Sequence, residues 1–254
     1  MKNIFCLVIL TLFLSCSNYQ KLLKSTDFDN KFESAVSYYD NSDYSRALPL
    51  FEDLLGAFKG SSKSEDVYYY YIYCTFHLGD YYNASYHFKN FSKTFFSSDK
   101  SEEMSYMAAY CLYMDSPQFN YDQTNTYDAI NELELFISEY PNSEKKIEAE
   151  ELISDLNDKI EKKEFEIAKL YYETGKYKSS LYAFNSFIEN YPNSSKLEDV
   201  LYIQTKAYFE LAINSVEEKK KFRIKEFIFA YQNFILTYPD SKYLKEIKSL
   251  KDEL

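Results

Sequence analysis

The sequence predicts an all-α protein built from stacked pairs of helices, on the strength of three observations. Its 254 residues include only four Gly and five Pro, which favours helices joined by short turns. Aromatic residues are abundant, with 28 Tyr and 21 Phe but no Trp, and such side chains suit packing between helices. A turn-and-helix pattern also recurs along the chain, which is typical of repeat proteins.

The recurring pattern consists of a tight turn, a Tyr, a small residue three positions later and then an apolar or aromatic pair. Its turns are Ser42-Asp43-Tyr44, Gly79-Asp80-Tyr81 and Gly175-Lys176-Tyr177. The small residues are Ala47, Ala84 and Ser180, and the pairs are Phe51 with Leu54, Phe88 with Phe91, and Phe184 with Phe187. This is the second half of a tetratricopeptide repeat (TPR), where the small residue marks the closest approach of the two helices.

A second pattern marks the ends of helices. Tyr140-Pro141, Tyr191-Pro192 and Tyr238-Pro239 each close an amphipathic segment, and a Ser follows two residues after each Pro. Together the two patterns predict a TPR superhelix, an α-solenoid of about five helix-turn-helix repeats. Repeat 3 is expected to carry a long loop at Asp115–Thr126, and repeat 5 a charged inter-helix loop near Glu217–Lys221.

The predicted domain organisation has four parts. Residues 1–15 form a lipoprotein signal peptide, and residues 16–26 form a lipidated N-terminal tether. Residues 27–143 contain repeats 1–3. Residues 144–254 contain a long connecting helix, expected over Glu144–Glu173 because that stretch is rich in Lys and Glu and has no helix breaker, followed by repeats 4 and 5.

The first residues carry an export signal. Ile4–Leu14 is almost continuously apolar and too short to span a bilayer as a mature helix. It ends at Ser15-Cys16, which resembles a bacterial lipobox, although Phe13 stands where Leu is usual. We expect a covalent lipid on Cys16, such as palmitate, and no other cofactor; the alternative is an ordinary signal peptide cut elsewhere. The residue after the cysteine is Ser17 and not Asp, and in diderm bacteria this resembles the signal for sorting to the outer membrane.

Phasing the repeats by their turns places an aromatic surface on the first helix of each N-terminal repeat. A groove of Tyr and Phe suits an extended peptide with aromatic side chains, although part of any such set belongs to the core between helices. The predicted peptide-binding residues are Phe32, Tyr39, Tyr69, Tyr73, Phe76, Tyr106, Tyr110 and Tyr113.

The sequence carries no pattern for catalysis. It lacks a glycine-rich phosphate loop and other catalytic motifs, and its two histidines, His77 and His87, have no Cys or carboxylate cluster at metal-ligand spacing. The formal net charge of −11 disfavours nucleic acid as a partner. Cys74 and Cys111 are expected to be buried free thiols, since equivalent positions in successive repeats lie too far apart for a disulfide. We expect a protein that is not an enzyme.

A TPR array behind a lipobox resembles the BamD family, the TPR lipoproteins of the outer-membrane β-barrel assembly machinery. The resemblance covers nearly the whole chain, with its most specific segments at residues 16–24, 46–51, 86–91 and 163–172. It implies an outer-membrane protein that faces the periplasm and is held in the membrane by its lipid alone. The implied partners are unfolded β-barrel precursors at the N-terminal repeats and a BamA-like insertase at the C-terminal repeats.

Two other functions remain open from the sequence. The same fold would serve a periplasmic TPR adaptor for peptidoglycan or cell-division machinery. The last four residues, Lys251-Asp252-Glu253-Leu254, spell the retention signal of the endoplasmic reticulum (ER), and three Asn-x-Ser sequons occur, so an ER-resident TPR protein is a remote alternative.

Overall fold

The computed structural model describes residues 18–254, and no strand occurs among them. Residues 18–23 are helical. Eleven further helices follow in this part of the chain: α1 Phe28–Asp40, α2 Tyr44–Ala57, α3 Ser64–His77, α4 Tyr81–Thr94, α5 Ser101–Asp115, α6 Thr124–Glu139, α7 Lys146–Glu173, α8 Tyr177–Asn190, α9 Leu197–Ile213, α10 Glu217–Thr237 and α11 Leu244–Asp252. The predicted all-α TPR fold is therefore confirmed, with helix pairs where the repeats were expected.

The three aligned turns share one backbone conformation. Ser42, Gly79 and Gly175 have positive φ angles of 58°, 81° and 71°, so each takes the left-handed conformation that reverses the chain between the two helices of a repeat. In the first two turns the next residue caps the second helix, because Asp43 and Asp80 accept hydrogen bonds from backbone N–H groups three residues on.

The aligned apolar positions form the core. Each small residue of the pattern and both members of each apolar pair are buried: Ala47, Phe51 and Leu54; Ala84, Phe88 and Phe91; Ser180, Phe184 and Phe187. Ser180 Oγ also donates a hydrogen bond of 2.9 Å to the carbonyl oxygen of Ala168 on the paired helix. The small residues thus lie where the two helices of a repeat approach, as the pattern predicts.

Replacing Gly79 by Ala is expected to lower the free energy of unfolding by about 1 kcal/mol, because a Cβ disfavours the left-handed conformation. Space is not the cause, since no atom lies within 4 Å of the added Cβ. Gly56, in the last turn of α2 and without a positive φ, is the matched control, and Gly56→Ala should raise stability by about 0.5 kcal/mol. Denaturant midpoints for the two variants should move in opposite directions, and a shared direction would contradict the turn assignment.

A serine turn joins each repeat to the next. In five turns a Ser Oγ accepts a hydrogen bond from the backbone N–H two residues later: Ser61 to Lys63, Ser98 to Lys100, Ser143 to Lys145, Ser194 to Lys196, and Ser241 to Tyr243. The last three follow the Tyr-Pro pairs, whereas the first two lack a proline and escaped the sequence pattern. These serines shape the turn, and the helix begins two or more residues further on.

Two of these turns are fastened to the preceding repeat by a glutamate. Ser98 Oγ and Lys100 Nζ lie 2.7 and 3.2 Å from Glu65 Oε1, and the hydrogen bond from Ser98 lowers the pKa of that carboxyl. In the same way, Glu161 Oε1 accepts hydrogen bonds from Ser194 Oγ and Lys196 Nζ, each at 2.7 Å. Such contacts fix one repeat against the next at both places.

The chain divides into two compact units. The first runs to Pro117 and resumes over Gln123–Ser154, and the second comprises Gln118–Asp122 and Asp155–Leu254. Within the second unit, Lys163 Nζ donates to the carbonyl oxygen of Tyr121 at 2.5 Å, and Lys162 Nζ lies 4.3 Å from the Phe119 ring centre. The loop segment 118–122 is therefore held by the α7 residues of its own unit.

Two predicted segments have observable outcomes. The long connecting helix is present as α7, Lys146–Glu173. The charged loop expected at Glu217–Lys221 is wrong, because those residues form the first turn and a half of α10. Lys and Glu are good helix formers, and acidic residues such as Glu217 and Glu218 stabilise a helix N-terminus through its dipole.

Candidate functional site

The eight predicted groove residues lie on three first helices of neighbouring repeats. Phe32 and Tyr39 are on α1; Tyr69, Tyr73 and Phe76 are on α3; and Tyr106, Tyr110 and Tyr113 are on α5. Seven of them are partly exposed. Tyr106 is buried at 4% exposure and packs on Phe136 at a ring-centre distance of 5.4 Å, so it offers little surface to a ligand.

Five of these side chains form a continuous line of rings, here called the aromatic row: Tyr69, Tyr73, Phe76, Tyr110 and Tyr113. Ring centres of neighbours along it are 4.7 Å apart for Tyr69 and Tyr73, and 6.4 Å for Tyr73 and Phe76. The step from α3 to α5, between Phe76 and Tyr110, is 6.4 Å, and Tyr113 follows at 6.1 Å. The row therefore crosses two repeats without a gap.

The two residues from repeat 1 join this row through a side chain that was not predicted. Tyr70 lies 5.0 Å from Tyr39, 6.2 Å from Phe32 and 5.6 Å from Tyr69, as ring-centre distances. It also stacks on the buried Phe51 at 5.2 Å. Turn-based phasing placed Tyr69 on the groove side and passed over its neighbour, because a ring at a helix–helix boundary serves both core and surface.

His77 is another residue that sequence reasoning assigned no role in the groove. Its ring stacks on Tyr44 at 4.3 Å and lies 6.2 Å from Tyr73 and 6.1 Å from Tyr39. Burial lowers the pKa of His77, so the imidazole is neutral at pH 7. It thus contributes a flat, uncharged ring at the edge of the aromatic surface.

Lysines from two of the serine turns stand over predicted groove rings of repeats 1 and 2. Lys63 Nζ is 5.5 Å from the Phe32 ring centre, and Lys100 Nζ is 5.7 Å from that of Tyr69. Both amines also pair with acids, Lys63 with Asp29 at 2.6 Å and Lys100 with Glu65. The Ser-x-Lys spacing, which four of the five serine turns share, is the sequence signal that could have found them. Because these charges are paired, the groove edge offers little net positive charge.

The phenols of the groove are neutral hydrogen-bonding groups. Tyr73 Oη donates to Glu103 Oε1 at 2.5 Å, and burial together with this bond raises the pKa of Tyr73. Burial likewise raises the pKa of Tyr39. Both side chains therefore stay protonated at pH 7, and the surface combines ring faces with uncharged donors, a combination suited to binding peptide by stacking and hydrogen bonds.

Comparison with known families gives this surface a context. The family model YfiO, described as outer membrane lipoprotein, matches residues 25–223 and 171–254, a span that includes the whole aromatic row. The chain belongs to the YfiO family. The resemblance to BamD-type lipoproteins seen in the sequence is thereby confirmed, and the family favours an outer-membrane protein over the ER alternative.

One curated relative of this YfiO-family chain is the outer membrane protein assembly factor BamD of Caulobacter vibrioides, 29% identical over 102 residues. The alignment covers 40% of this chain and 33% of that protein, so the chain spans about a third of the relative it matches. Among solved structures, a TPR repeats protein from Bacteroides fragilis is 12% identical with a TM-score of 0.41, over 91% of this chain and 100% of the other.

Among the described residues, the cysteines and histidines of this YfiO-family chain lie outside any cluster suited to metal binding. In residues 18–254 no group of three or more His, Cys, Asp or Glu side chains is placed to hold a metal ion. Cys74 and Cys111 are free and buried, as predicted, and burial raises the pKa of each thiol to about 12, which keeps both protonated. His87 Nδ1 lies 3.1 Å from the Tyr68 hydroxyl, away from any carboxylate cluster.

The predicted membrane attachment depends on residues that precede the described part of the chain. Cys16 and the predicted signal peptide over residues 1–15 lie outside the described residues. Over residues 18–254, no helix has the length and apolar character needed to cross a bilayer. The terminal tetrapeptide that resembles an ER signal begins inside α11, which contains Lys251 and Asp252.

Proposed function

We propose that this protein is a lipid-anchored, non-catalytic scaffold of outer-membrane β-barrel assembly, which faces the periplasm and binds unfolded barrel precursors in the aromatic row. A BamA-like insertase is the second proposed partner. The observation that carries the proposal is the family match, which extends over the row and both units. The name of the Caulobacter relative, an outer membrane protein assembly factor, supports the same role.

The geometry of the aromatic row suits a peptide in extended conformation. Side chains on one face of a β-strand recur about every 6.6–6.8 Å. Successive ring centres in the row are 4.7–6.4 Å apart, so apolar side chains at alternate peptide positions would each meet a ring. The neutral phenol hydroxyls beside these rings would form hydrogen bonds with the peptide backbone. A barrel strand with alternating apolar residues and a terminal aromatic has this pattern.

Site-specific photocrosslinking would test the groove directly. A benzoyl-phenylalanine at Tyr110, a partly exposed ring in the row, should crosslink to a peptide with alternating apolar residues and a C-terminal aromatic. The matched control is Tyr86 on α4, which is 62% exposed and outside the row. We expect at least a tenfold stronger crosslink at position 110, which excess unlabelled peptide should abolish. Equal crosslinking at both positions would reject the groove.

Substitutions in the aromatic row would test whether its rings contribute to peptide binding. Tyr73→Ala combined with Tyr110→Ala should weaken binding of the same peptide about tenfold or more, at about 1–2 kcal/mol for two lost ring contacts. Tyr73 also packs on Phe88 at 5.2 Å, so helical content must be checked by circular dichroism. Tyr73→Phe keeps the ring and removes only the hydroxyl, and it should retain most of the binding.

The partner and the anchor require separate experiments. A pull-down from detergent-solubilised outer membrane should recover a barrel protein with periplasmic repeat domains. Recovery of peptidoglycan or division proteins in its place would support the envelope-adaptor alternative. Cys16→Ser should move the protein from the membrane to the soluble periplasmic fraction, and retention in the membrane would argue against a lipid on Cys16.

A further inference from the structure

Tyr19, Leu22 and Leu23, which lie a few residues after Cys16, pack against repeat 1. They are partly buried against the core formed by α1, α2 and α3. Tyr19 Oη donates a 2.9 Å hydrogen bond to the carbonyl oxygen of Arg46, and its ring meets that of Tyr38 at 5.8 Å. The helical segment 18–23 is therefore part of the folded repeat.

A buried charge fastens the end of this segment. Lys31 of α1 is 1% exposed, and its Nζ donates to the carbonyl oxygen of Leu23 at 3.0 Å and pairs with Asp53 of α2. A buried ammonium needs both acceptors to offset the loss of hydration. Through Lys31, the backbone at Leu23 is therefore held against α1 and α2.

The outward face of the same segment is basic. Gln20, Lys21 and Lys24 are exposed, on the side opposite Tyr19, Leu22 and Leu23. Neither Lys21 nor Lys24 takes part in an ion pair among residues 18–254. The nearest acid that follows in sequence, Asp27, is engaged in capping α1 through a 3.1 Å hydrogen bond. The two lysines give this face a local positive charge in a chain whose net charge is −11.

We propose that this outward face of segment 18–24 lies directly on a membrane of anionic lipid, with Lys21 and Lys24 contacting the headgroup phosphates. The proposal rests on the proposed lipidation of Cys16. Only two residue steps separate Cys16 from Asn18, and an extended chain covers at most about 3.6 Å per step, or roughly 7 Å. An anchored Cys16 thus brings repeat 1 to the headgroups, and lysines there attract anionic lipid while the acidic remainder is repelled.

The absence of Trp from the chain makes this placement measurable. The full lipidated protein is inserted into vesicles of phosphatidylethanolamine and phosphatidylglycerol that carry a dansyl group on some headgroups. Gln20→Trp should transfer energy efficiently to dansyl. Leu135→Trp is the matched control, since Leu135 is also exposed and lies on α6 of the same unit, two repeats away. We expect at least threefold greater transfer from position 20.

Charge reversal then tests the lysines. Lys21→Glu with Lys24→Glu in the Gln20→Trp background should reduce transfer about twofold or more in anionic vesicles and have little effect in phosphatidylcholine vesicles. Equal transfer from positions 20 and 135 in protein that floats with the vesicles would overturn the proposal while leaving the anchor intact. Failure to float would reject the lipid anchor itself, and this placement with it.

Discussion

Phe187→Ala is expected to lower the free energy of unfolding of the second unit by about 3–5 kcal/mol. Phe187 is fully buried, and its ring lies 6.1 Å from Phe165 on α7 and 4.9 Å from Tyr191. Its removal would leave a cavity between the two helices of repeat 4, and that cost adds to the lost burial of the ring. Phe184 is not free to fill the gap, because it is itself buried and packed on Phe165.

The matched control for Phe187 lies on the same helix. Tyr182 of α8 is 80% exposed, so Tyr182→Ala should change stability by less than about 0.5 kcal/mol. Urea unfolding followed by circular dichroism would compare the two variants, with the wild-type slope checked for separate transitions of the two units. Equal midpoints for the two variants would show that the aromatic positions of the repeat do not carry its stability.

Asp53→Ala is expected to cost about 2–3 kcal/mol, although the Asp53 side chain is 51% exposed. The cost arises at Lys31, which is 1% exposed and would keep the carbonyl oxygen of Leu23 as its hydrogen-bond acceptor, with the Phe28 ring centre 5.7 Å away. Lys31→Met should cost less, about 1 kcal/mol, because the carboxylate left behind is half-exposed and can be hydrated. We therefore expect Asp53→Ala to lower the free energy of unfolding more than Lys31→Met does, although both substitutions break the same ion pair.

A double-mutant cycle would measure that asymmetry. Lys31→Met combined with Asp53→Ala should be about as stable as Lys31→Met alone, since no buried charge then remains without a partner. Strictly additive effects would show that the two side chains do not interact in solution. Because Lys31 also holds the backbone at Leu23, the two variants that carry Lys31→Met should increase proteolysis within residues 18–25.

Repeat phase could be predicted from sequence because it depends on local chemistry. Positive φ at Gly79 and Gly175 follows from residue type, and the aligned Ser42 shows that the turn imposes the same conformation without glycine. The buried Phe88 and Phe187 follow from helical periodicity. The wrong loop at Glu217–Lys221 came from treating charge density as a sign of a loop, although Lys and Glu are good helix formers.

The residues of the candidate groove were harder to predict from the sequence than the repeats were. Turn-based phasing found the first helices and most rings of the aromatic row, but it assigned Tyr106 to the groove and passed over Tyr70. Adjacent residues on a helix point about 100° apart, and whether a boundary ring faces ligand or core depends on how the next repeat packs. Tyr106 is covered in this way by α6 through Phe136.

The sequence by itself determined that the chain is all-helical, where its repeats turn, and which side chains fill each helix pair, because these depend on residues close together along the chain. Only the tertiary structure decided which rings remain open in the groove, that Lys63 and Lys100 stand over Phe32 and Tyr69, and that Lys31 holds the segment after Cys16 against repeat 1. Those contacts join residues up to 31 positions apart, and their partners are set by the packing of one repeat on another.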